Sequence, residues 1–301
     1  MTQRITNRSI ATQSVANLQA GLAKRAAAQD QMSSGKLISK PSDDPVGTNN
    51  ALQYRGDIRT NEQYVRSAEN GASWLAVQDQ TLQDVSSRVA QLRSLAVQAA
   101  NTGSMDPSSR GAIAKQVQTI KDQLVGLSNT TYLGRPVFGG VTAGTAAFTQ
   151  DPTTGKVTYA GDDSAEVTRR VAPGTDVTVS SSGAQVFGAD GSNLFDTVDS
   201  FLTALGSGSS TALNASVGAF DTAGRQVTAG LATVGARANQ VGGYSTLADA
   251  RLDDLKSSLS TVEDIDYAES SIDYNLQNVA YQASLAVTAK VIQPTLVDFL
   301  R

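Results

Sequence analysis

An apolar seam with alternating spacings of three and four residues constrains this chain more than any other feature. Its members are Val65, Ala68, Ala72, Leu75, Leu82, Val85, Val89, Leu92, Ala96 and Ala99. One position of the repeat, between Leu75 and Leu82, is skipped. Such a seam is typical of a helix that packs along another helix, as in a coiled coil. One helix from Pro45 to about Asn101 would be on the order of 80 Å long at ~1.5 Å per residue, which favours a rod over a compact enzyme.

A second seam lies in the other half of the chain. Its members are Leu213, Val217, Phe220, Gly224, Val227, Leu231, Val234, Ala238 and Val241. Gly242 and Gly243 are expected to interrupt this seam, and Leu252, Leu255, Leu259 and Val262 carry a similar stripe onward. A shorter helix with the same spacing begins after Asp106-Pro107 and ends near Leu127. The pattern therefore predicts a bundle of long neighbouring helices.

Two prolines, Pro41 and Pro45, mark a break before the first long helix. A residue that precedes proline is pushed out of the helical region, so this segment is expected to act as a hinge. Pro45 suits the first position of a helix, and Asp44 is expected to cap it. The neighbouring Asp43 and Asp44 also fit a metal or acid site, but capping is favoured.

The periodicity changes between Val137 and about Phe187, where glycine, threonine, aspartate and valine dominate. Residues 156–159 and 176–179 alternate polar with apolar side chains, as half-buried strands do. Residues 151–155 read as a turn. We expect a small β-rich insertion here.

The two ends of the chain carry apolar helical stripes that have too few partners within the chain. Residues 3–36 form one predicted helix that ends at Gly35, and Pro294 ends the helix at the other end. Two helices cannot bury a full core between them, so part of their surface is expected to meet other chains. The predicted assembly interface consists of Val15, Leu18, Leu22, Met32, Ile272, Leu276, Val279, Leu285, Val291, Leu296, Phe299 and Leu300.

The composition argues against most kinds of catalytic and ligand-binding site. With 0 His and 0 Cys, the chain lacks the ligands of common zinc sites, the base of a serine triad and any thiol nucleophile. A glycine-rich stretch at 139–144 lacks the Lys-Ser/Thr ending of a phosphate loop. A net charge of −4 disfavours nucleic acid. We expect no enzyme activity, no cofactor and no metal, and no secretory signal or membrane span.

These patterns predict a mainly α fold with a small β-rich insertion. Long, antiparallel, coiled-coil-like helices come from both chain ends, and the insertion forms an outer β subdomain. We expect a terminal helical assembly domain from residues 1–42 with 265–301. A long-helix bundle would use 43–136 with 190–264, and the outer insertion 137–189.

Several short stretches, in this order and spacing, resemble the bacterial flagellin superfamily over nearly the whole chain. Residues 33–36 and 41–47 resemble its S-G-K…S-D-D-P segment, while residues 73–75 with 95–101 resemble its first long helix. Residues 235–237 and 262–269 resemble its returning helices. Within the superfamily, residues 134–140 are similar to the G-R-x-x-F-G-G stretch of the hook-associated junction proteins (the FlgL family), and residues 293–300 are similar to that family's C-terminus.

The resemblance implies a structural adapter between the flagellar hook and filament. Such a protein is exported through the flagellar channel without a cleaved signal peptide and works outside the cell. It assembles as a ring of identical subunits through its N- and C-terminal helices and templates filament growth. Its implied partners are a neighbouring hook-associated protein on the hook side, flagellin on the filament side, and an export chaperone on the C-terminal region.

Three alternatives remain. A flagellin, the filament subunit itself, shares the ends and the mechanism of assembly. A hydrolase within the β insertion would need a site that no motif supports. A free coiled-coil adhesin would have fully ordered ends as a stable monomer or dimer.

Overall fold

The structure, a computed structural model, describes residues 7–101 and 106–292 of the chain. Three helices come first: α1 (Asn7–Ser34), α2 (Pro45–Asn101) and α3 (Pro107–Ser128). Six short strands follow: β1 (Thr131–Tyr132), β2 (Arg135–Pro136), β3 (Phe148–Gln150), β4 (Val157–Tyr159), β5 (Thr168–Ala172) and β6 (Thr175–Thr178). The described chain ends with α4 (Gly183–Phe187), α5 (Leu194–Ser207), α6 (Ser210–Glu263) and α7 (Tyr267–Ile292). Long helices with a small β insertion confirm the predicted fold class.

The predicted seam of α2 is buried along most of its length, with two differences from the sequence reading. Gly71 is buried where Ala72 was expected, and Ala72 is exposed. The position skipped between Leu75 and Leu82 is filled by Gln78, whose side chain is fully buried. With Gly71 and Gln78 included, the spacing alternates three and four from Ala68 to Ala99 without a gap. The seam is therefore more regular than its apolar residues alone indicate.

Helix α6 is continuous through Gly242 and Gly243, and buried residues occur both before and after them, so the predicted interruption of the seam was wrong. Glycine costs a helix about 1 kcal/mol relative to alanine. Here both glycines face open space, and the buried side of α6 continues from Val241 before them to Ala248 after them. Packing of that side outweighs the local preference of the two glycines.

Helices α2 and α6 are antiparallel. Asn61 near the start of α2 donates a hydrogen bond to the Ala248 carbonyl oxygen (2.5 Å) near the end of α6. Further along α2, Arg93 pairs with Asp221 near the start of α6. Residues later in α2 therefore contact residues earlier in α6, which is the antiparallel arrangement that the fold prediction required.

The described residues contain three separate two-stranded antiparallel ladders: β1–β2, which directly precedes the insertion, and β3–β4 and β5–β6 within it. The two segments expected to be strands correspond to β4 and β6. Side chains at the end of α3 and within it bind the β3–β4 hairpin and its flanking residues through hydrogen bonds. Asn129, at the end of α3, accepts the backbone N–H groups of Ala147 and Phe148 at 2.8 Å each. Lys121 of α3 donates to the Gly155 carbonyl (2.8 Å) and pairs with Asp199 of α5 (2.5 Å).

Buried residues of the insertion and of the helices form one continuous hydrophobic core. Phe148 lies at its aromatic centre, and the centroid of its ring is 5.2 Å from that of Phe187 and 5.3 Å from that of Phe195.

By internal packing the chain divides into two compact units. One comprises residues up to Thr60 with those from Leu252 onward, and the other is Asn61–Arg251.

Candidate assembly surface

The terminal helices α1 and α7 pack against each other in antiparallel order. Near the middle of both, the Arg25 guanidinium lies 5.2 Å from the centre of the Tyr281 ring, a cation–π contact. Near the end of α1 and the start of α7, Gly35 lies against Tyr267, whose hydroxyl oxygen would be 2.7 Å from any added Cβ. Gly35 has a φ of +69° and ends α1, as expected from the sequence.

The side of α7 that packs on α1 is mostly polar and aromatic. The partly or fully buried residues of α7, which indicate the side that packs on α1, are Ser270, Ser271, Tyr274, Gln277, Asn278, Tyr281 and Thr288. The matching side of α1 is mixed, with Leu18, Gly21, Arg25, Ala28 and Met32. The contact between the two helices therefore does not use the aliphatic stripe of α7.

That aliphatic stripe lies on the opposite side of α7. Ile272, Leu276 and Val279 follow each other at spacings of four and three, so they share one face of the helix. Their exposed fractions are 71 %, 63 % and 63 %, and Val287 continues the stripe at 61 %. Three large aliphatic side chains at this exposure on one face are unusual for a surface helix, and this face is the candidate assembly surface.

The other predicted interface residues fall into three groups. Val15 and Leu22 of α1 are exposed and flank the side that faces α7, while Leu18 and Met32 lie partly buried on that side. Leu285 is half-exposed and lies on the other side of α7 from Ile272. The side chain of Val291 and all of Leu296, Phe299 and Leu300 lie outside the described residues.

The segment predicted as a hinge and cap is held by a local network of hydrogen bonds. The Asp43 carboxylate accepts the Lys40 N–H (2.9 Å), the Ser39 hydroxyl (3.0 Å) and the Ser39 N–H (3.2 Å). These donors, the Lys40 N–H first, lower the pKa of Asp43. The Asp43 N–H closes the turn by donating to the Lys40 carbonyl (2.9 Å), with Pro41 inside it.

Asp44 sits at the start of α2, directly before Pro45. Its Oδ1 accepts the Val46 N–H at 3.0 Å, and its carbonyl accepts the Thr48 N–H at 2.9 Å. Gly47 packs so closely on this segment that an added Cβ would overlap the Asp44 carboxylate and the Ile38 side chain. Both aspartates of the predicted hinge thus bind backbone groups.

The acidic side chains of the insertion are also hydrogen-bonded within the fold: Asp151, Asp162, Asp163, Glu166 and Asp176. The Asp163 carboxylate accepts the Ser182 hydroxyl (2.5 Å) and the Tyr159 hydroxyl (2.7 Å). Burial, and then the neighbouring Asp163, raise the pKa of Tyr159. Within residues 7–101 and 106–292, no three His, Cys, Asp or Glu side chains gather closely enough to hold a metal ion. None of the helices described there is both long and apolar enough to cross a membrane.

Sequence reasoning missed two groups of residues that position the helices. The skipped position of the α2 seam indicated an inward-facing residue between Leu75 and Leu82. The register with Ala72 pointed to Asp79, however, and only the register with Gly71 reaches Gln78. The charged residues Lys36, Arg55, Glu263 and Asp264 come together in the fold from both ends of the chain. No pattern in the sequence indicates this second group.

Comparison with known proteins agrees with this architecture. Residues 5–143 match the family description "Bacterial flagellin N-terminal helical region", and residues 217–300 match "Bacterial flagellin C-terminal helical region". The flagellar hook-associated protein 3 of Salmonella typhimurium is 27 % identical over 279 residues, covering 85 % of this chain and 86 % of that protein. A flagellin of Bacillus subtilis is 26 % identical over 276 residues, covering 88 % of each.

A solved structure shares the fold. The flagellar junction protein FlgL of Legionella pneumophila superposes with a TM-score of 0.59 at 16 % identity, covering 71 % of this chain and 99 % of that one. The matched regions contain both terminal helices and the long helices α2 and α6, which are the elements that carry the seams and the exposed stripe. The chain therefore belongs to the bacterial flagellin family.

Proposed function

We propose that this chain is a hook–filament junction subunit of the bacterial flagellum. Its terminal helices join identical subunits into a ring, and the ring templates filament growth. The observation that carries the proposal is the exposed aliphatic stripe of α7, formed by Ile272, Leu276 and Val279, which points away from α1. The similarity to the Salmonella typhimurium hook-associated protein and to the Legionella pneumophila junction protein supports the hook–filament position.

The energetics favour assembly on an existing template. Full burial of each large aliphatic side chain of the stripe is worth about 1.5–3 kcal/mol. Ordering a helix end costs about 1–2 kcal/mol per residue that becomes fixed. Two isolated subunits gain little net free energy, whereas a subunit that docks against several ordered neighbours gains more. The ring is then expected to grow on a preceding ring of hook-associated subunits.

The proposed partners follow from this position. They are identical subunits, a neighbouring hook-associated protein on the hook side, flagellin on the filament side, and an export chaperone that binds the C-terminal region. The subunit is exported without a cleaved signal peptide and works outside the cell. Its role is structural rather than enzymatic, and the capping and turn contacts of Asp43, Asp44 and Asp163 support this.

Deletion of the gene tests the proposal when flagellin is assayed both in the medium and on the cell. A junction subunit predicts hooks without filaments, with intact flagellin lost into the medium. Unchanged filaments and normal swimming would contradict the proposal.

A filament flagellin is the second candidate. The Bacillus subtilis flagellin matches the chain over 88 % of both lengths, so the overall length of the chain suits either role. In this case the same deletion would remove flagellin antigen from both the cell and the medium. Purified flagella would then contain this chain as their most abundant protein rather than as a minor one.

A further inference from the structure

The hairpin formed by β1 and β2 ends in a two-residue turn, Leu133–Gly134. Tyr132 and Arg135 face each other in the ladder, so only these two residues lie between them. Both have positive φ, +50° at Leu133 and +77° at Gly134, as in a type I′ turn. This turn prefers Asn, Asp or Gly, because a bulky side chain is strained there. Within residues 7–101 and 106–292, Leu133 is the one non-glycine residue with positive φ.

Leu133 is also the most exposed large hydrophobic side chain of the described residues, at 79 %. An added Cβ at the neighbouring Gly134 would meet open space, so the turn projects from the fold. The base of the hairpin is fixed, because the Tyr132 ring packs edge-on against the buried Trp74 of α2, with centroids 5.7 Å apart. The hairpin therefore presents a strained, apolar side chain from a rigid base. Such strain is found at functional positions, where other contacts compensate for it.

A groove between α2 and α3, on the same compact unit, can receive such a side chain. Its volume is about 460 Å³, within the range of sites that hold small ligands. Leu95 and Ile120, which are partly and fully buried, provide its apolar part, and Gln91, Gln116 and Gln123 are its exposed amides. Amides both donate and accept hydrogen bonds, so they suit the backbone groups of a hairpin turn.

The charges of the turn and the groove are complementary. Arg135, directly after the turn, is exposed and joins none of the ion pairs of the described residues. On α3, the exposed Asp122 lies one turn after Thr119, which lines the groove. On α2, the exposed Asp84 lies one turn before Arg88, which also lines it. Two carboxylates against one guanidinium leave an excess negative charge that favours the Arg135 cation.

We propose that Leu133 of one copy inserts into the α2–α3 groove of a second copy, with Arg135 facing Asp122. The two surfaces differ, so the contact is heterologous, and repeated contacts of this kind form a ring when the rotation between neighbours closes. This inference rests on the ring of identical subunits proposed above. It adds a lateral contact made by residues 61–251 to the candidate assembly surface of α7.

Paired cysteines test the contact directly, because the chain contains 0 Cys. Leu133→Cys and Gln123→Cys are introduced together into the chain that complements the deletion strain, and purified flagella are treated with a short bismaleimide. We expect covalent dimers and larger multimers, because each copy would offer one thiol to each of two neighbours. Each single variant should stay monomeric. Leu133→Cys with Thr228→Cys, an exposed position on α6, is the matched control and should also stay monomeric.

Leu133→Asn separates the contact from folding. Asn adopts positive φ more readily, so the thermal unfolding midpoint of the purified chain should rise by about 2 °C. Incorporation into flagella should nevertheless fall at least about tenfold, because the burial of a leucine side chain is lost. Leu247→Asn, at another exposed leucine of the same unit, should leave incorporation unchanged. This variant keeps the test decisive if the cysteine pair itself prevents assembly.

Three results would overturn the proposal: only monomers after cross-linking of flagella that contain the paired-cysteine chain, equal cross-linking in the Thr228 control, or full incorporation of Leu133→Asn. Each of them leaves the junction role standing when the deletion strain has hooks without filaments and releases intact flagellin. Failure of the junction role is read separately, from unchanged filaments in that strain.

Discussion

The side-chain amide of Gln78 donates a hydrogen bond from Nε2 to the backbone carbonyl oxygen of Val137, with the two atoms 2.6 Å apart. Its Oε1 accepts the Ser181 hydroxyl at 3.3 Å. One buried polar residue in the α2 seam therefore holds both ends of the β-rich insertion. Gln78 thus joins α2 to two points of the insertion through its buried amide group.

Replacing this residue with an apolar one tests that role. Gln78→Leu should lower the free energy of unfolding by about 1–3 kcal/mol, because the buried Val137 carbonyl loses its donor. Urea unfolding measures the change. Gln80→Leu, at an exposed position of the same helix, should stay within about 0.5 kcal/mol of the unaltered chain. If Gln78→Leu were as stable as the unaltered chain, apolar packing in the seam would outweigh the hydrogen bonds.

The exposed stripe of α7 predicts a defect in assembly without a defect in folding. Leu276→Asp places a charge in the middle of the stripe, where burial against a neighbour would cost several kcal/mol. The purified variant should keep the thermal unfolding midpoint of the unaltered chain, since Leu276 is 63 % exposed in the free subunit. In the deletion strain, the variant should fail to enter flagella and should not restore swimming.

Leu247→Asp is the matched control for this experiment. Leu247 has the same exposed fraction, 63 %, but lies on α6 outside the terminal helices. The control variant should be incorporated normally. Normal incorporation of Leu276→Asp would show that the α7 stripe is not an assembly surface.

Two glycines with similar backbone angles allow the cost of a positive φ to be measured separately from the cost of a steric overlap. Gly140 and Gly174 have φ values of +62° and +70°, where a side chain costs about 1 kcal/mol. An added Cβ at Gly140 would overlap the Asp162 carbonyl oxygen, whereas Gly174 faces open space. Gly174→Ala should therefore destabilise the chain by about 1 kcal/mol, and Gly140→Ala by about 3 kcal/mol. Chemical unfolding of both variants measures the difference, and equal losses would mean that the loop at 140 adapts freely.

Tyr159 should make stability depend on pH in the alkaline range. Its hydroxyl oxygen lies 2.7 Å from Asp163 Oδ1 and 3.1 Å from the Phe138 carbonyl. Burial, followed by Asp163, raises its pKa, so the folded chain favours the neutral phenol. The unfolded chain ionises near pH 10. The stabilisation is therefore complete below about pH 10 and is lost as the pH rises through the folded value.

Comparison with Tyr159→Phe isolates this effect from other titrating groups. At pH 7 the variant should be less stable by about 1 kcal/mol, the net value of a hydrogen bond. Above pH 10 the difference between the two proteins should shrink, which unfolding curves at pH 7, 10 and 11 would measure. A constant difference across this range would contradict the assigned environment of the phenol.

The sequence alone determined the helical frame, because its information is local. The spacing of three and four along α2 and α6 reports which residues face inward, and Asp44-Pro45 and Asp106-Pro107 mark the starts of α2 and α3 through short-range geometry. The residues that resemble flagellin also lie in continuous stretches. For these reasons the fold class and the family followed from the chain without coordinates.

The tertiary structure decided those features that depend on contacts between residues distant in the sequence. Gly242 and Gly243 remain helical because the opposite side of α6 is packed, and Gln78 is tolerated in the seam because Val137 and Ser181 satisfy its amide. Helix periodicity predicted a stripe on α7 but could not say which side meets α1. In the structure, Tyr281 and its polar neighbours face α1, and this leaves Ile272, Leu276 and Val279 exposed on the opposite side.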